Sequence, residues 1–385
     1  MNEVNLNYAA TSNKKPEPVI RAMTEYLAAN NFKSPGRSGG ADYIEFDARN
    51  AIGKLFNAHK TENIVFASGA TLALNMILCG ILKKGDHVLS TSLEHNAVAR
   101  PLEILRNRDI IEVTHLPCKN GEMFDPELIK KNLRPNTRLM VMTHASNVSG
   151  AILDYEACAK IAKDHGLLFV LDAAQTAGLV EIDFDNSDID ALVFTGHKTL
   201  MGPSGIGGVL LKSGAEKDIT PIISGGTGSI SHLLEHPDFM PDKFQAGTPN
   251  TLGLIGLTAA VTYVMDVGVK KIFDHKAMLT NMFMDGLRQE GVTIYGPATT
   301  RAPLVSFNIK NIDNGVLEGV MQERFGIVTR SGLHCSPLAH KSIGTYPEGA
   351  LRASFGYFNT EEEIKYAIEV VNKIAKNKEE VRKWI

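Results

Sequence analysis

In Ile189-Asp190-Ala191-Leu192-Val193-Phe194-Thr195-Gly196-His197-Lys198-Thr199-Leu200-Met201-Gly202-Pro203, an apolar run gives way abruptly to small and polar residues. The run predicts a strand over Ile189 to Phe194, and the change predicts a strand end opening onto a loop. Open α/β sheets hold ligands at such ends. Taken alone, Lys198 reads as a solvated loop lysine, one of 40 Lys and Arg in the chain. A lysine that forms a Schiff base needs neighbours that depress its pKa and a carbonyl partner, usually a cofactor.

Outward from this stretch, short β-rich runs alternate with helical patterns. Strands are predicted near Ile64 to Ala67, Val88 to Thr91, Ile110 to Leu116, Leu139 to Thr143, Leu167 to Leu171, Ile189 to Phe194 and Gly208 to Lys212. That rhythm predicts an α/β fold with a mostly parallel seven-stranded sheet covered on both faces. An extended arm from Val4 to Ala10 precedes a helix opened by prolines over Pro16 to Asn30. Asn31 to Gly40 reads as a loop, and Ile44, Ala48, Ile52, Leu55 and Phe56 mark the apolar stripe of a second helix. After Thr251 long helices take over, followed by strands near Leu304 to Ile309, Ile327 to Thr329 and Leu351 to Phe355 and a closing helix from Thr360. The expected division is an arm over 1–15, a large domain over 16–258 and a smaller α+β domain over 259–385.

At 385 residues, 44% hydrophobic and 22% charged, the composition is that of a globular protein with a large core. A net charge of −3 makes no case for nucleic acid or a membrane surface as partner. Met1 to Pro18 has no secretory h-region, and the apolar stretch Leu72 to Leu82 is too short to span a bilayer, so a cytoplasmic location is expected. Cys79, Cys118, Cys158 and Cys335 form no Cys-x-x-Cys pair, which suits a reducing compartment and argues against a thiolate metal site. His232 and His236 stand four apart but lack the zinc-protease order, so no metal is expected.

Polar clusters follow several of the predicted strands. Asp172 closes Val170-Leu171-Asp172, where a carboxylate needs a cation or donors; it is either a helix N-cap or a partner for a ring nitrogen. Ser68-Gly69-Ala70-Thr71 opens a helix whose free N–H groups suit a phosphate. Ser92-Leu93-Glu94-His95-Asn96 and Thr143-His144-Ala145-Ser146-Asn147 also lie just past strands. Near the C-terminus, Arg330-Ser331-Gly332-Leu333-His334-Cys335 sets a thiol beside an arginine and a histidine, a setting that favours a reactive cysteine. Arg352, in the apolar run Leu351 to Phe355, wants a planar anionic partner.

Over essentially its whole length the chain resembles pyridoxal-phosphate enzymes of the class V aminotransferase type, nearest the cysteine desulfurases and selenocysteine lyases. The resemblance rests on Ser-Leu-Glu-His95, Ser146-Asn147-x-x-Gly150, Asp172-Ala-Ala-Gln175, Thr195-Gly-His-Lys198, Ala246-Gly247-Thr248-Pro249-Asn250, Arg330-Ser-Gly-x-His-Cys335 and Leu-Arg352-Ala-Ser. It implies a fold-type-I architecture and pyridoxal 5′-phosphate held as a Schiff base on Lys198. Asp172 would pair with the pyridine nitrogen, Gln175 with the phenolic oxygen, and His95 would stack on the ring. Ala70, Thr71, Thr195 and His197 would hold the phosphate, with Thr248 reaching in from the second subunit of a homodimer. Asn147 would touch both cofactor and substrate, Arg352 would take the substrate carboxylate with Arg330 and His334 nearby, and Cys335 would accept sulfur. The implied reaction takes sulfur or selenium from L-cysteine or L-selenocysteine and leaves L-alanine, with a sulfur or selenium acceptor protein as a further partner.

Three positions depart from the family. Ala70 lacks a hydroxyl many members have, Asn96 replaces a second histidine, and Leu333 replaces a histidine before His334. The compact segment from Cys335 to Arg352, with Pro337 and Pro347, resembles the short-loop desulfurases. Two alternatives stay open: another class V aminotransferase or β-eliminating lyase with Cys335 a bystander, and a catalytically silent subunit.

Overall fold

The structure, a computed structural model, describes residues 3–29 and 41–377; the loop expected over 31–40 lies outside them. The chain opens with β1 (Val4–Asn5), α1 (Glu17–Ala28) and α2 (Ala41–Phe56). There follow β2 (Ile64–Ala67), α3 (Ala70–Ile81), β3 (Asp86–Thr91), α4 (Asn96–Asn107), β4 (Ile111–Leu116), α5 (Glu127–Lys131), β5 (Thr137–Thr143), α6 (Tyr155–Asp164), β6 (Leu168–Asp172), β7 (Ala191–Thr195) and β8 (Gly207–Leu211). Two long helices, α7 (Thr251–Val267) and α8 (Val269–Gly286), lead to β9 (Val292–Tyr295), β10 (Leu304–Ile309), α9 (Asn314–Phe325), β11 (Ile327–Val328), α10 (Pro337–Ile343), β12 (Leu351–Ser354) and α11 (Glu361–Lys376).

Seven strands form one sheet in the order β2-β8-β7-β6-β5-β3-β4, and only β8 runs antiparallel to its neighbours. The mostly parallel sheet is therefore as the alternating pattern predicts. Its central strands are buried on both faces, which is why they read as continuous Val, Leu and Ile runs with no polar alternation. β7 reaches β8 through a short loop with no crossover helix, so the chain reverses direction at Lys198. On the far side of the sheet, β3 leads outward to β4 while β5, β6 and β7 step the other way. The chain segments after β3, β5, β6 and β7 consequently emerge at one edge, where order reversal opens a crevice.

The apolar stripe predicted on α2 is present: Ala48, Ile52 and Phe56 are buried with the sheet and with Leu254, Leu257 and Val261 of α7. A second core gathers the smaller domain, where Phe283 meets Phe307 and Phe355 edge-on at 5.9 and 5.4 Å. Burying each such ring contributes roughly 1.5–3 kcal/mol. The arm joins this core, since Val4 and Leu6 are buried in it and β1 pairs in parallel with β11. It then runs on to Ser12, whose backbone N donates to the His197 carbonyl at 2.8 Å.

The boundary expected between 258 and 259 falls inside α7. That helix is unbroken to Val267 and packs on the large domain; the chain turns by 79° at Gly268, which holds φ of +95°. An apolar helix shared between layers carries no compositional mark of a domain edge, whereas the glycine does. Two elements escaped the sequence patterns: β9 and α10, of four and seven residues, are too short for periodicity to register. No single helix among the described residues is long and apolar enough to cross a membrane.

Lys276 of α8 is 6% exposed, and burial pulls its amine from 10.5 down to about 8. Below pH 8 both native and unfolded chains carry this charge, so the full desolvation cost, on the order of 3 kcal/mol, falls on the folded state. Above pH 8 the native amine loses its proton first and the cost shrinks, vanishing beyond 10.5. Lys276→Met is therefore expected to raise Tm at pH 7 by about 2–4 °C, with the gain fading as pH rises; thermal unfolding across pH 6 to 11 checks it.

Candidate active site

The carboxyl edge of the sheet encloses a cavity of about 220 Å³ that gathers residues from five loops. Ala70 and Thr71 enter from the start of α3, His95 from the end of β3 and Asn147 from the loop after β5. Asp172 and Gln175 come from the end of β6, and Thr195, His197 and Lys198 from the end of β7. Nine residues singled out in the sequence thus share one wall, although Ala70 and Lys198 lie 128 positions apart.

The α3 start has no side-chain cap, so its first backbone N–H groups are unspent donors. Gly69 can approach β7 closely because Gly207 beside it has no side chain: a Cβ there would lie 2.6 Å from the Phe194 carbonyl and 2.9 Å from Gly69 Cα. Uncapped N–H groups with the Thr195 hydroxyl next to them suit a phosphate ester.

His95 caps α4 through Nδ1, which accepts from Ala97 N at 3.0 Å, so the proton of the neutral ring sits on Nε2. Burial, with the Lys198 and arginine charges, pulls this imidazole down to about 4. Asp172 is 4% exposed; Oδ1 accepts from Ala174 N at 2.9 Å, and the carboxyl has no other hydrogen bond among the described residues. Burial pushes its pKa up, while the Ala174 bond and the Lys198 charge oppose the shift. Asp172 therefore caps a turn and not the helix N-terminus that one reading of it expects, since no helix lies between β6 and β7 among the described residues, and its carboxylate also lines the cavity. Burial pulls the Lys198 amine down to about 8, against the pull of Asp172 and aided by Arg352 and Arg330. That value leaves a useful fraction of neutral amine near pH 7.5, and the amine has no hydrogen-bond partner among the described residues. His197 bonds Thr11 through Nδ1, and Gln175 Nε2 donates to the Ala9 carbonyl at 3.1 Å, so the N-terminal arm closes one side of the site.

Cys335 is exposed and is not part of the cavity lining, with Arg330 Nη2 donating to Sγ at 3.8 Å. It is close enough to act electrostatically on both Lys198 and Arg352. Arg352 is 1% exposed; it donates to the Asn147 carbonyl at 2.9 Å and to Asn7 Oδ1 at 3.2 Å, and its Nε has no partner. Burial without a carboxylate pulls the guanidinium down to about 9. Such a group is an anion acceptor held ready.

One expected role is corrected by the geometry. His334 is 3% exposed and both ring nitrogens are engaged inside the protein, so it presents nothing to a substrate. Asn147 lines the cavity and also holds the cysteine loop: Nδ2 donates to the His334 carbonyl at 2.8 Å and Oδ1 accepts from Ser336 at 2.7 Å, leaving one donor and one acceptor of the amide free. Asn96 contributes its backbone, its N–H donating to the Cys335 carbonyl at 2.7 Å. Thr248 is exposed and outside the cavity of its own chain.

Two contributors were not assigned from sequence. Ser204 lines the mouth of the cavity from Gly202-Pro203-Ser204-Gly205, a turn whose chemistry after a lysine loop was the available signal. Glu94 is fully buried and joins the ends of β3 and β5, accepting from the Thr91 hydroxyl at 2.5 Å and from Thr143 N at 3.0 Å. Burial pushes its carboxyl up to about 8, the two hydrogen bonds oppose that, and Asp172 adds to it.

Residues 4–367 match the family model Aminotransferase class-V. A probable cysteine desulfurase of Methanothermobacter thermautotrophicus is 33% identical over 379 residues, covering 95% of this chain and 94% of the relative. A cysteine desulfurase of Salmonella agona is 31% identical over 380 residues, covering 95% and 92%. The apo cysteine desulfurase of Thermococcus onnurineus superposes with a TM-score of 0.89 at 30% identity over 97% of this chain and 95% of the other. An S-sulfonic acid form of the Escherichia coli cysteine desulfurase CsdA gives 0.86 at 26% over the same shares. Sequence, fold and site agree: the chain belongs to the class-V aminotransferase family, in the group that holds the cysteine desulfurases.

Proposed function

We propose that the protein is a pyridoxal 5′-phosphate-dependent cysteine desulfurase that converts L-cysteine to L-alanine and leaves the sulfur on Cys335. The observation that carries this reading is an exposed thiol beside Arg330, close enough to act electrostatically on Lys198, whose amine shares a cavity with the buried Asp172 carboxylate. The residues fit the cofactor on the structure's own terms: uncapped α3 N–H groups and Thr195 for its phosphate, the unengaged side of Asp172 for its ring nitrogen, His95 for its ring face and Lys198 for its carbonyl carbon. When bound, the group supplies an electron sink for charge at the substrate's α carbon.

The chain's own residues supply the rest. Arg352, with an orphaned Nε, takes the substrate carboxylate. The Lys198 amine, near 8, moves a proton from the α carbon and later returns one. Cys335 Sγ, as thiolate, attacks the substrate sulfur: an S–S bond forms as the Cβ–S bond breaks, and the electron pair of the broken bond stays with the carbon skeleton. Protonation at Cβ gives alanine, and the persulfide remains for an acceptor to clear.

A second copy of the chain fits the same reading. Thr248 is exposed in a stretch with little regular structure that also exposes Ile222, Ile223, Leu233, Leu234 and Phe239, apolar side chains that a second chain would cover. All four cysteines are free, which supports a reducing, cytoplasmic setting. Assaying the cofactor-loaded protein with L-cysteine and L-selenocysteine at equal concentration is the direct test. Alanine is expected from L-cysteine in stoichiometric match with released sulfur, from a particle of two chains by light scattering. Pyruvate in place of alanine would move the reading to a β-eliminating lyase.

A further inference from the structure

The loop that carries Cys335 is closed by a short antiparallel ladder. Arg330 and Arg352 exchange backbone hydrogen bonds at 3.2 and 2.8 Å, and Gly332 and Ala350 do so at 3.1 and 3.2 Å. Inside it, His334 and Cys335 hold φ of +50° and +57°. Two successive non-glycine residues in the left-handed region are strained and persist only where their surroundings dictate them. The strain sits on the residue with the exposed thiol.

A chain of side-chain hydrogen bonds lies directly beneath. His334 Nε2 is 3.0 Å from the Arg330 carbonyl oxygen, which can only accept, so Nε2 carries the proton. In the neutral ring Nδ1 is then an acceptor, and the proton 3.2 Å away belongs to His340 Nε2. His340 Nδ1 in turn accepts from the Thr345 hydroxyl at 2.7 Å. The two rings stack with centroids 5.4 Å apart and planes at 22°, both almost fully buried. Burial first, then the Arg352 charge, pulls both imidazoles down, His340 to about 4, so both stay neutral as this pattern requires. On the opposite side, Asn147 grips the His334 carbonyl and Ser336, and the α4 start grips the Cys335 carbonyl.

We propose that Thr345, His340 and His334 form a one-way hydrogen-bond relay that ends on the Arg330 carbonyl and holds Cys335 in its left-handed turn beside Arg330, making His340 a positioning residue for sulfur transfer. The proposal rests on Cys335 as the sulfur acceptor. The relay keeps the thiol near the Arg330 guanidinium and within electrostatic reach of Lys198 while leaving it exposed for the next acceptor. His340 is fully buried and lies outside the cavity lining, so its loss acts through the loop.

The test compares His340→Phe, which keeps a ring but no hydrogen bonds, with His340→Gln, which keeps one donor and one acceptor. For His340→Phe, kcat for alanine formation should fall by about 10–100-fold with KM within about twofold, and alkylation of Cys335 by iodoacetamide should slow at least about fivefold as the sulfur leaves Arg330. His340→Gln should recover both rates to within about threefold. Unchanged rates in His340→Phe, or equal losses in both variants, would overturn the relay. Thr345→Val, which removes only the first donor, serves if His340→Phe does not fold, with the same direction expected and unchanged rates equally fatal. Alkylation of the reduced, substrate-free protein reads the loop whether or not Cys335 is the sulfur acceptor, so alanine formation that survives Cys335→Ser would sink the acceptor reading and leave the relay to be judged separately.

Discussion

Lys198→Ala is expected to lower alanine formation from L-cysteine by at least about 10⁴-fold and to remove the yellow colour of the cofactor-loaded protein. The size follows from two roles for one amine. Lys198 stands three residues past the end of β7, in the cavity with Asp172. Burial holds it near 8, so it can bond a carbonyl as the neutral amine and then pass a proton at the substrate's α carbon. Lys198→Arg separates position from chemistry, because a guanidinium of similar reach keeps its proton at any working pH. Both variants should be equally inactive, and their folds should be unchanged by circular dichroism. More than about one part in a hundred of wild-type activity in either would mean that another group moves the proton.

Cys335→Ser should be nearly as damaging, with a loss of at least about 10³-fold in alanine formation from L-cysteine, yet the colour and the binding of cofactor should be retained. The contrast arises because Cys335 lies outside the wall of the cavity and shares none of its cofactor-facing contacts, whereas Lys198 is part of that wall. A serine hydroxyl stays protonated and cannot take up sulfur as a thiolate does, so the substrate's sulfur has no acceptor. Selenium release from L-selenocysteine is expected to survive better, since selenolate can leave with the bonding electron pair unassisted, and the carbon product of that residual route is pyruvate with ammonia in place of alanine. Full activity of Cys335→Ser toward L-cysteine would show the thiol to be a bystander and return the protein to general class V chemistry. Blocking the exposed thiol before the assay should reproduce the variant's loss.

The strands were legible because burial on both faces of a parallel sheet forces runs such as Leu139 to Thr143 and Ala191 to Phe194 to be apolar throughout, a demand that composition displays directly. The residues at their ends were legible for the converse reason: Asp172, His95 and Lys198 are costly next to such strands unless a site uses them. What stayed hidden were short elements and long-range commitments. β9 and α10 have too few residues for a period, and Glu94 gained meaning only when the end of β3 met Thr143 on β5.

His334 shows the division most clearly. Its place next to Cys335 in the chain makes it look like a substrate ligand, but the left-handed backbone at 334 and 335 turns the imidazole inward against His340 and the thiol outward. By itself the sequence determined the sheet, the ring of polar residues along its carboxyl edge with Lys198 among them, and the reactive cysteine of the smaller domain, because each follows from local hydrophobicity and side-chain chemistry. Only the tertiary structure decided that Asn147 clamps the cysteine loop across 187 residues of chain and that His334 supports it from below. Those roles are set by backbone dihedrals and by contacts between distant segments, which no local pattern of residues encodes.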